Sequence, residues 1–172
     1  MKCEPTAYTI ANLARDGSTS WEGVRNYQAR NFMRDTMKVG DAVLFYASNA
    51  EPSGVTGIAK VSREAHPDHY AWKKGHKYFD PKSTKTDPIW HMVEISFVEQ
   101  FPDTLALSTL KATKALSNMM VTKKGSRLSI QPVTKAEFNI VVHLGRAANQ
   151  RPRTTLTTSS LMSTWWLRSI LR

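Results

Sequence analysis

The apolar positions of this chain fall into short stretches of helical spacing set between short stretches of strand spacing. Ala29, Phe32 and Met33 share one face of a helix that Asn26 caps and that runs to about Arg34. Thr9 to Arg15 reads as a shorter helix, capped by Thr9 and stopped by Gly17. Ser108 heads a third helix to Leu116, and Thr134-Lys-Ala-Glu137 is a capping box opening a fourth, to about Leu144. After a turn at Lys38-Val-Gly-Asp41, the run Ala42-Val-Leu-Phe-Tyr46 has strong strand character. Ser53-Gly54 turns into a second strand over Val55 to Val61, in which Gly57 marks a bulge or a close approach of two backbones. Trp90 to Phe97 alternates, with Trp90, Met92, Glu94 and Ser96 on one side, and Arg127 to Ile130 reads as a short strand. Residues 64–89 are polar, rich in Pro and Asp, and without periodicity, so one long loop is expected there.

Short strands with helices inserted between them, and no regular βαβ alternation, predict an α+β domain built around a small barrel-like sheet. This domain is expected over residues 1–144. From Gly145 the texture changes to Ala-Ala-Asn-Gln-Arg-Pro-Arg-Thr-Thr and then to a Ser/Thr-rich stretch without apolar periodicity, so 145–172 is expected to be a disordered basic tail. Its end sets Trp165, Trp166, Leu167, Ile170 and Leu171 beside Arg168 and Arg172, a basic amphipathic tip.

Composition narrows the class. At 172 residues, with 41% hydrophobic and 22% charged positions, the chain is long enough for one domain with its own core and is neither fibrous nor disordered as a whole. No apolar run approaches the roughly 20 residues needed to cross a bilayer. Met-Lys-Cys-Glu-Pro5 lacks the apolar core of a signal peptide. The single cysteine, Cys3, excludes an internal disulfide framework and a cysteine-based zinc site. A monomer in a reducing compartment is expected, cytoplasmic in a bacterium or nuclear in a eukaryote, with no membrane partner. Against 14 acidic residues stand 24 Lys and Arg, a net charge of +10, which favours an anionic partner, above all nucleic acid. Half of that surplus sits in the five arginines from Arg146 to Arg172, so the body is only mildly basic.

Catalytic signatures are missing: there is no Walker-type phosphate loop, no dinucleotide fingerprint and no nucleophile elbow. His66-x-x-His69 has metal-ligand spacing but no supporting cysteine or carboxylate set, and Cys3 has no evident histidine partner, so neither a metal nor a cofactor is expected. The informative segment is Trp21-Glu-Gly-Val-Arg-Asn-Tyr-Gln-Ala-Arg-Asn-Phe32. It interleaves aromatic rings with Arg25, Arg30 and the amides of Asn26, Gln28 and Asn31, the mixture that stacks on bases, bonds to their edges and holds phosphates. Tyr27 and Arg30, three apart, share a helix face. The same spacing suits Trp21 and Phe32 as core anchors and Asn26 as a plain helix cap, and spacing does not separate the two readings. Ser48 and Asn49 follow a strand end, where hydrogen-bonding groups read ligands or make turns. Lys123, Lys124 and Arg127 form a basic turn suited to phosphates or to plain solvation.

These residues resemble the EVE domain family. The resemblance is carried by Met1-Lys-Cys-Glu-Pro5, the Trp21–Arg34 block, Met37-Lys-Val-Gly-Asp41, Val43-Leu-Phe-Tyr46, Ser48-Asn49, Gly57-Ile-Ala59, Tyr78-Phe-Asp-Pro-Lys-Ser83, Trp90-His-Met-Val93 and Arg127–Val133. It runs in order from residue 1 to about 144. It implies a PUA-like fold, a small curved β-barrel with helices around it, related to modules that take a base into a pocket. By that resemblance Trp21 stacks on a base, Asn26 and Tyr27 line the pocket, Arg30 forms its positive edge, Ser48 and Asn49 add hydrogen bonds, and Trp90 forms a second wall. Arg25, Lys123, Lys124 and Arg127 are expected at phosphates. Cys3 stands where the family usually has Ser, and the first strand is expected to be short.

The expected function is a non-enzymatic reader of a modified base, foremost methylated or hydroxymethylated cytosine in DNA, with RNA as the alternative nucleic acid. Two rival classes are a nuclease or base hydrolase on the same scaffold, with Glu4 and Lys2 as its nearest candidate groups, and a protein-interaction module using the Arg/Trp tail.

Overall fold

Strand β3 (Ala42–Ala47) is buried along almost its whole length, which explains why its sequence is a continuous apolar run. Val43 and Phe45 enter one hydrophobic cluster and Leu44 and Tyr46 enter another, one on each face of the sheet. The computed structural model describes residues 1–147. Around β3 it sets β1 (Lys2–Cys3), β2 (Ser18–Trp21), β4 (Gly54–Pro67) and β5 (His91–Ala106) in one five-stranded sheet of order β1-β3-β4-β5-β2. Only the β1–β3 pair is parallel; the others are antiparallel. Register shifts recur along the β4–β5 ladder, between Val55 and Gly57, Ile58 and Ala59, Val61 and Arg63, and Arg63 and His66. Each adds local twist and bend, so these two long strands curve and serve both clusters.

Helices α1 (Ile10–Asp16) and α2 (Tyr27–Asp35) pack Ile10, Leu13, Ala29 and Met33 onto Phe45, Val61, Val93 and Ile95. Helices α3 (Leu107–Ala112) and α4 (Lys135–Ala147) cover the other face, with Leu110, Val141 and Val142 on Val55, Ile58, Phe101 and Leu105. The helix starts are those that the side chains dictate. Thr9 and Asn12 cap α1 reciprocally, Asn26 accepts from the Ala29 amide at 3.1 Å, and Thr134 and Glu137 exchange bonds at the start of α4. Gly57 is a close approach as expected: a Cβ there would overlap the Glu99 carbonyl and Ile10.

Several expectations need correction. Residues 64–67 are strand, not loop: β4 runs to Pro67, and a single 3-10 turn follows at His69–Trp72. The sequence hid this extension because it has no large apolar side chain and its pairing with β5 is a backbone property, braced by Arg63–Glu94 at 3.1 Å. Strand β5 likewise runs well beyond Phe97. Strand β2 was unforeseen, since Ser-Thr-Ser-Trp21 has one apolar residue; its ladder to β5 pairs Ser18 with Ser96 and Trp21 with Val93. Arg127 to Ile130 is no strand. Its apolar residues are the buried Ile130 and the partly buried Leu128, both packed on the first cluster, and it touches the sheet through the Lys2 amide donating to the Ser129 carbonyl at 2.8 Å. The helix expected over 108–116 breaks at Thr113 into α3 and a 3-10 turn, and Ser108 does not cap it. Helix α4 continues past Leu144 to Ala147. The expected disordered tail, with its Trp165–Leu171 tip, lies from residue 148 outside the described residues. Among the described residues no helix is long and apolar enough to cross a membrane.

Phe45 is 1% exposed and sits at the centre of the first cluster, edge-on to Trp21. Phe45→Ala should cost about 3–5 kcal/mol. Urea unfolding should show this as a lower midpoint at an unchanged slope.

Candidate functional site

The loop from β2 to α2 is held from below by a carboxylate. Asp68, at the end of β4, is 0% exposed. It accepts from the Gly23 amide at 3.1 Å, the Arg25 guanidinium at 2.8 Å and the Tyr70 amide at 3.0 Å. Three donors, one of them charged, are what a buried carboxylate requires. Arg25 also donates to the Tyr78 carbonyl at 3.1 Å and the Val24 carbonyl at 3.2 Å, and its guanidinium lies over the rings of Tyr78 and Trp90. The Tyr78 ring fills the space that a Cβ at residue 23 would take, and Gly23 has φ +75°, so glycine is required there twice over.

Above this base lies a cavity of about 490 Å³, a size suited to a nucleobase or other small ligand. Its lining combines Lys2 and Cys3 from β1 with Thr19, Ser20 and Trp21 from β2. Since β1 and β2 are opposite edges of the sheet, the sheet is curled until its edges face one another, and the cavity lies in the seam. Glu22, Lys77 and Tyr78 complete the wall nearest the loop. Trp21 is a core anchor that also lines the cavity. It is 8% exposed and packs edge-on against Phe45 at 5.6 Å, while its remaining surface faces the cavity. Burial, and secondarily the charge of Asp68, raises the Glu22 carboxyl above the ordinary glutamate value. Burial also lowers Lys2 and raises the Cys3 thiol, which leaves that thiol a weak nucleophile.

Arg25 also belongs to this lining, and the other sequence-predicted residues gather outside it. Tyr27, 58% exposed, lies at 4.9 Å and 32° over Trp90, which is buried. Arg30 stands over Tyr27 and donates to the Ile89 carbonyl at 2.8 Å. The Trp90 indole donates to Asp80 at 2.7 Å. This aromatic stack joins the cavity wall through Arg25, which touches both Trp90 and Tyr78. Asn26 spends its side-chain oxygen on the α2 cap. Ser48 and Asn49 reach the rim through neighbours: the Ser48 amide donates to the Cys3 carbonyl at 2.8 Å, and Asn49, at φ 52°, donates to Glu4 at 2.6 Å. The turn bearing Lys123, Lys124 and Arg127 is exposed and tied to β1 by Lys2 donating to the Ser126 carbonyl at 3.0 Å. Glu22, Asp68, Lys77 and Tyr78 were missed by sequence reasoning. Glu22 and Tyr78 lie inside the family-like blocks, and Lys77 adjoins one, which was the only signal. Among the described residues no group of three or more His, Cys, Asp and Glu is placed to hold a metal ion; His69 stacks on Tyr70 instead.

The EVE domain profile matches residues 1–144. The chain belongs to the EVE domain family. Human thymocyte nuclear protein 1 is 43% identical to this EVE protein over 135 residues, 74% of the present chain and 59% of the human one. The chain thus spans little more than half the length of the curated relatives it matches. A solved protein from Pseudomonas putida is 43% identical with a TM-score of 0.81, over 84% of this chain and 97% of its own. Human THYN1, solved in complex with DNA containing 5-methylcytosine, is 37% identical with a TM-score of 0.79, over 84% of this chain and 95% of its own. The architecture is accordingly the α+β, PUA-like curved sheet with surrounding helices that the resemblance implied.

Removing Asp68 from this EVE domain leaves Arg25, 23% exposed in its side chain, without its charged partner. Asp68→Ala should therefore cost about 3–5 kcal/mol, and Asp68→Asn, which keeps an acceptor, should cost less; urea unfolding measures both. The Trp90 indole, then the Lys82 amide, hold Asp80 below the ordinary aspartate value. The stability this contributes is present above that ordinary value and is lost as pH falls through the lowered one. Acid unfolding followed by fluorescence should show this component, and Trp90→Phe should reduce it to the part that the Lys82 amide supplies.

Proposed function

We propose that this EVE domain binds nucleic acid and takes a methylated cytosine of DNA into the seam cavity between Trp21 and Tyr78. The observation that carries the reading is that human THYN1, with the same fold, is held in complex with DNA containing 5-methylcytosine. The chemistry of the cavity fits such a ligand. Extruding a base from a duplex costs a few kcal/mol, and an aromatic contact with it returns about 1–3 kcal/mol per base. Trp21 is immobilised by Phe45, and Tyr78 by Gly23 and Arg25, so neither ring must be ordered at the moment of binding.

The roles of the remaining residues follow from their engagements. Lys77, Lys123, Lys124 and Arg127 are exposed and track phosphates on either side of the opening. Arg25, committed to Asp68 and the Tyr78 carbonyl, positions the wall rather than meeting phosphate. Asn26, Tyr27, Arg30 and Trp90 brace the α2 side, and the exposed face of Tyr27 offers a platform for a neighbouring base. Ser48 and Asn49 set the Glu4 rim. Binding rather than catalysis is favoured because Glu4 and Lys2 are each occupied within the fold, by Asn49 and by the Ser126 carbonyl.

A binding panel tests this. Short single- and double-stranded DNA and RNA with unmodified, methylated and hydroxymethylated cytosine are titrated at two salt concentrations, with the full chain and with a chain ending at residue 147. Methylation-dependent binding to DNA that survives high salt and truncation is expected. Trp21→Phe, which keeps a ring against Phe45, should weaken it, and Lys77→Ala or Lys124→Ala should lower affinity evenly across sequences while reducing the salt slope by about one each. Binding that is blind to methylation and vanishes with salt or with the tail would sink the proposal.

A further inference from the structure

We infer that Glu22 reads the amino edge of the base in the seam cavity, so that the site selects cytosine-type bases over thymine; this rests on the methylcytosine reading above. The inference starts from a difference among the acids at the site. Glu4 is bonded to Asn49, and Asp68 accepts from Gly23, Arg25 and Tyr70. Asp80, behind the wall, accepts from Trp90 and the Lys82 amide. Glu22 is partly buried in the cavity lining, yet among the described residues it makes neither a side-chain hydrogen bond nor an ion pair within 4.0 Å. A carboxyl so placed keeps its acceptor capacity for a ligand. Glu22 is also well placed. Trp21 before it is locked in the β2 ladder and the core, and the Gly23 amide after it is bonded to Asp68. The carboxyl is therefore presented from a fixed backbone, beside the ring on which a base would stack.

The chemistry that needs such a group is specific. 5-Methylcytosine and thymine have the same ring size and the same methyl group, so cavity shape and stacking do not tell them apart. They differ at position 4, where cytosine offers N–H donors and thymine a carbonyl acceptor, and at N3, where the pattern is inverted. A carboxyl oxygen of Glu22 accepts from the cytosine amine, whereas opposite thymine two acceptors face each other. Burial, and then the charge of Asp68, raise the Glu22 carboxyl above its ordinary value; the selectivity belongs to the ionised carboxylate, which only accepts.

The test uses full-length protein and short single-stranded DNA differing at one position, 5-methylcytosine, unmodified cytosine or thymine. The wild type should prefer 5-methylcytosine by about tenfold or more, the span of one good edge contact. Glu22→Gln, whose amide presents either a donor or an acceptor at each place, should bring the ratio close to one chiefly by gaining thymine binding, a gain that misfolding does not produce. Glu22→Ala should bring it close to one by losing 5-methylcytosine affinity. Variants that bind 5-methylcytosine and keep the wild-type ratio would overturn the role of Glu22. A wild type that does not distinguish methylated from unmodified cytosine would overturn the underlying reading as well.

Discussion

The buried carboxylate of Asp68 is the constraint around which the functional face is arranged. Taking it fully out of water costs several kcal/mol unless donors replace the solvent. Here the replacements come from three places: the backbone of the β2–α2 loop, the Arg25 guanidinium and the turn after β4. The loop thus has one conformation because the charge tolerates no other. Arg25, once paired, carries the order outward to the Tyr78 carbonyl and to the faces of Tyr78 and Trp90. A chain of contacts beginning at one acid sets the position of two aromatic rings.

The sheet supplies the other half of the arrangement. Register shifts along β4 and β5 curve the sheet, and the curvature brings β1 and β2, its two edges, to a common cavity. Edge strands expose backbone donors and acceptors that elsewhere invite aggregation. In the seam they are sheltered and adjoin the ligand space, so a hazard of sheet construction becomes part of the site. The cluster under α3 and α4 lies on the opposite face and contributes rigidity, since Phe101, Leu110 and Val141 fix the far ends of the same two long strands.

What the sequence revealed, and what it hid, divides by range of interaction. The caps of α1, α2 and α4 were legible because each is settled within three residues. Strand β3 was legible because both its faces are buried. Strand β2 and the end of β4 were not, because their side chains are polar and only the ladder to β5 makes them strands. Arg127 to Ile130 misled for the opposite reason: two apolar residues two apart, Leu128 and Ile130, gave irregular chain the look of a strand. At the site, the aromatic and basic surroundings of Trp21 singled it out, and its spacing left the core and pocket readings level. The partnership of Gly23 with Asp68, 45 residues apart, was not legible, and neither was the placement of Tyr78 against Gly23. The family resemblance also joined Tyr27 and Arg30 to the pocket itself, whereas neither is in the cavity lining and their ring stack is with Trp90.

Affinity and selectivity in such a site have different sources. The charge surplus attracts any polyanion, and aromatic rings accept the face of any base. Neither distinguishes one base from another. Distinction requires hydrogen-bonding groups that the fold has positioned but not used. Among the acids of this face, Glu4, Asp68 and Asp80 are consumed by Asn49, Arg25 and Trp90 respectively, and each of those bonds stiffens the wall. The rigidity they create gives the one uncommitted acid its value, since a carboxyl on a loose loop would adapt to either edge pattern and read nothing. Structural acids and the reading acid are in this sense one design: the first hold the frame still so that the second can refuse a ligand.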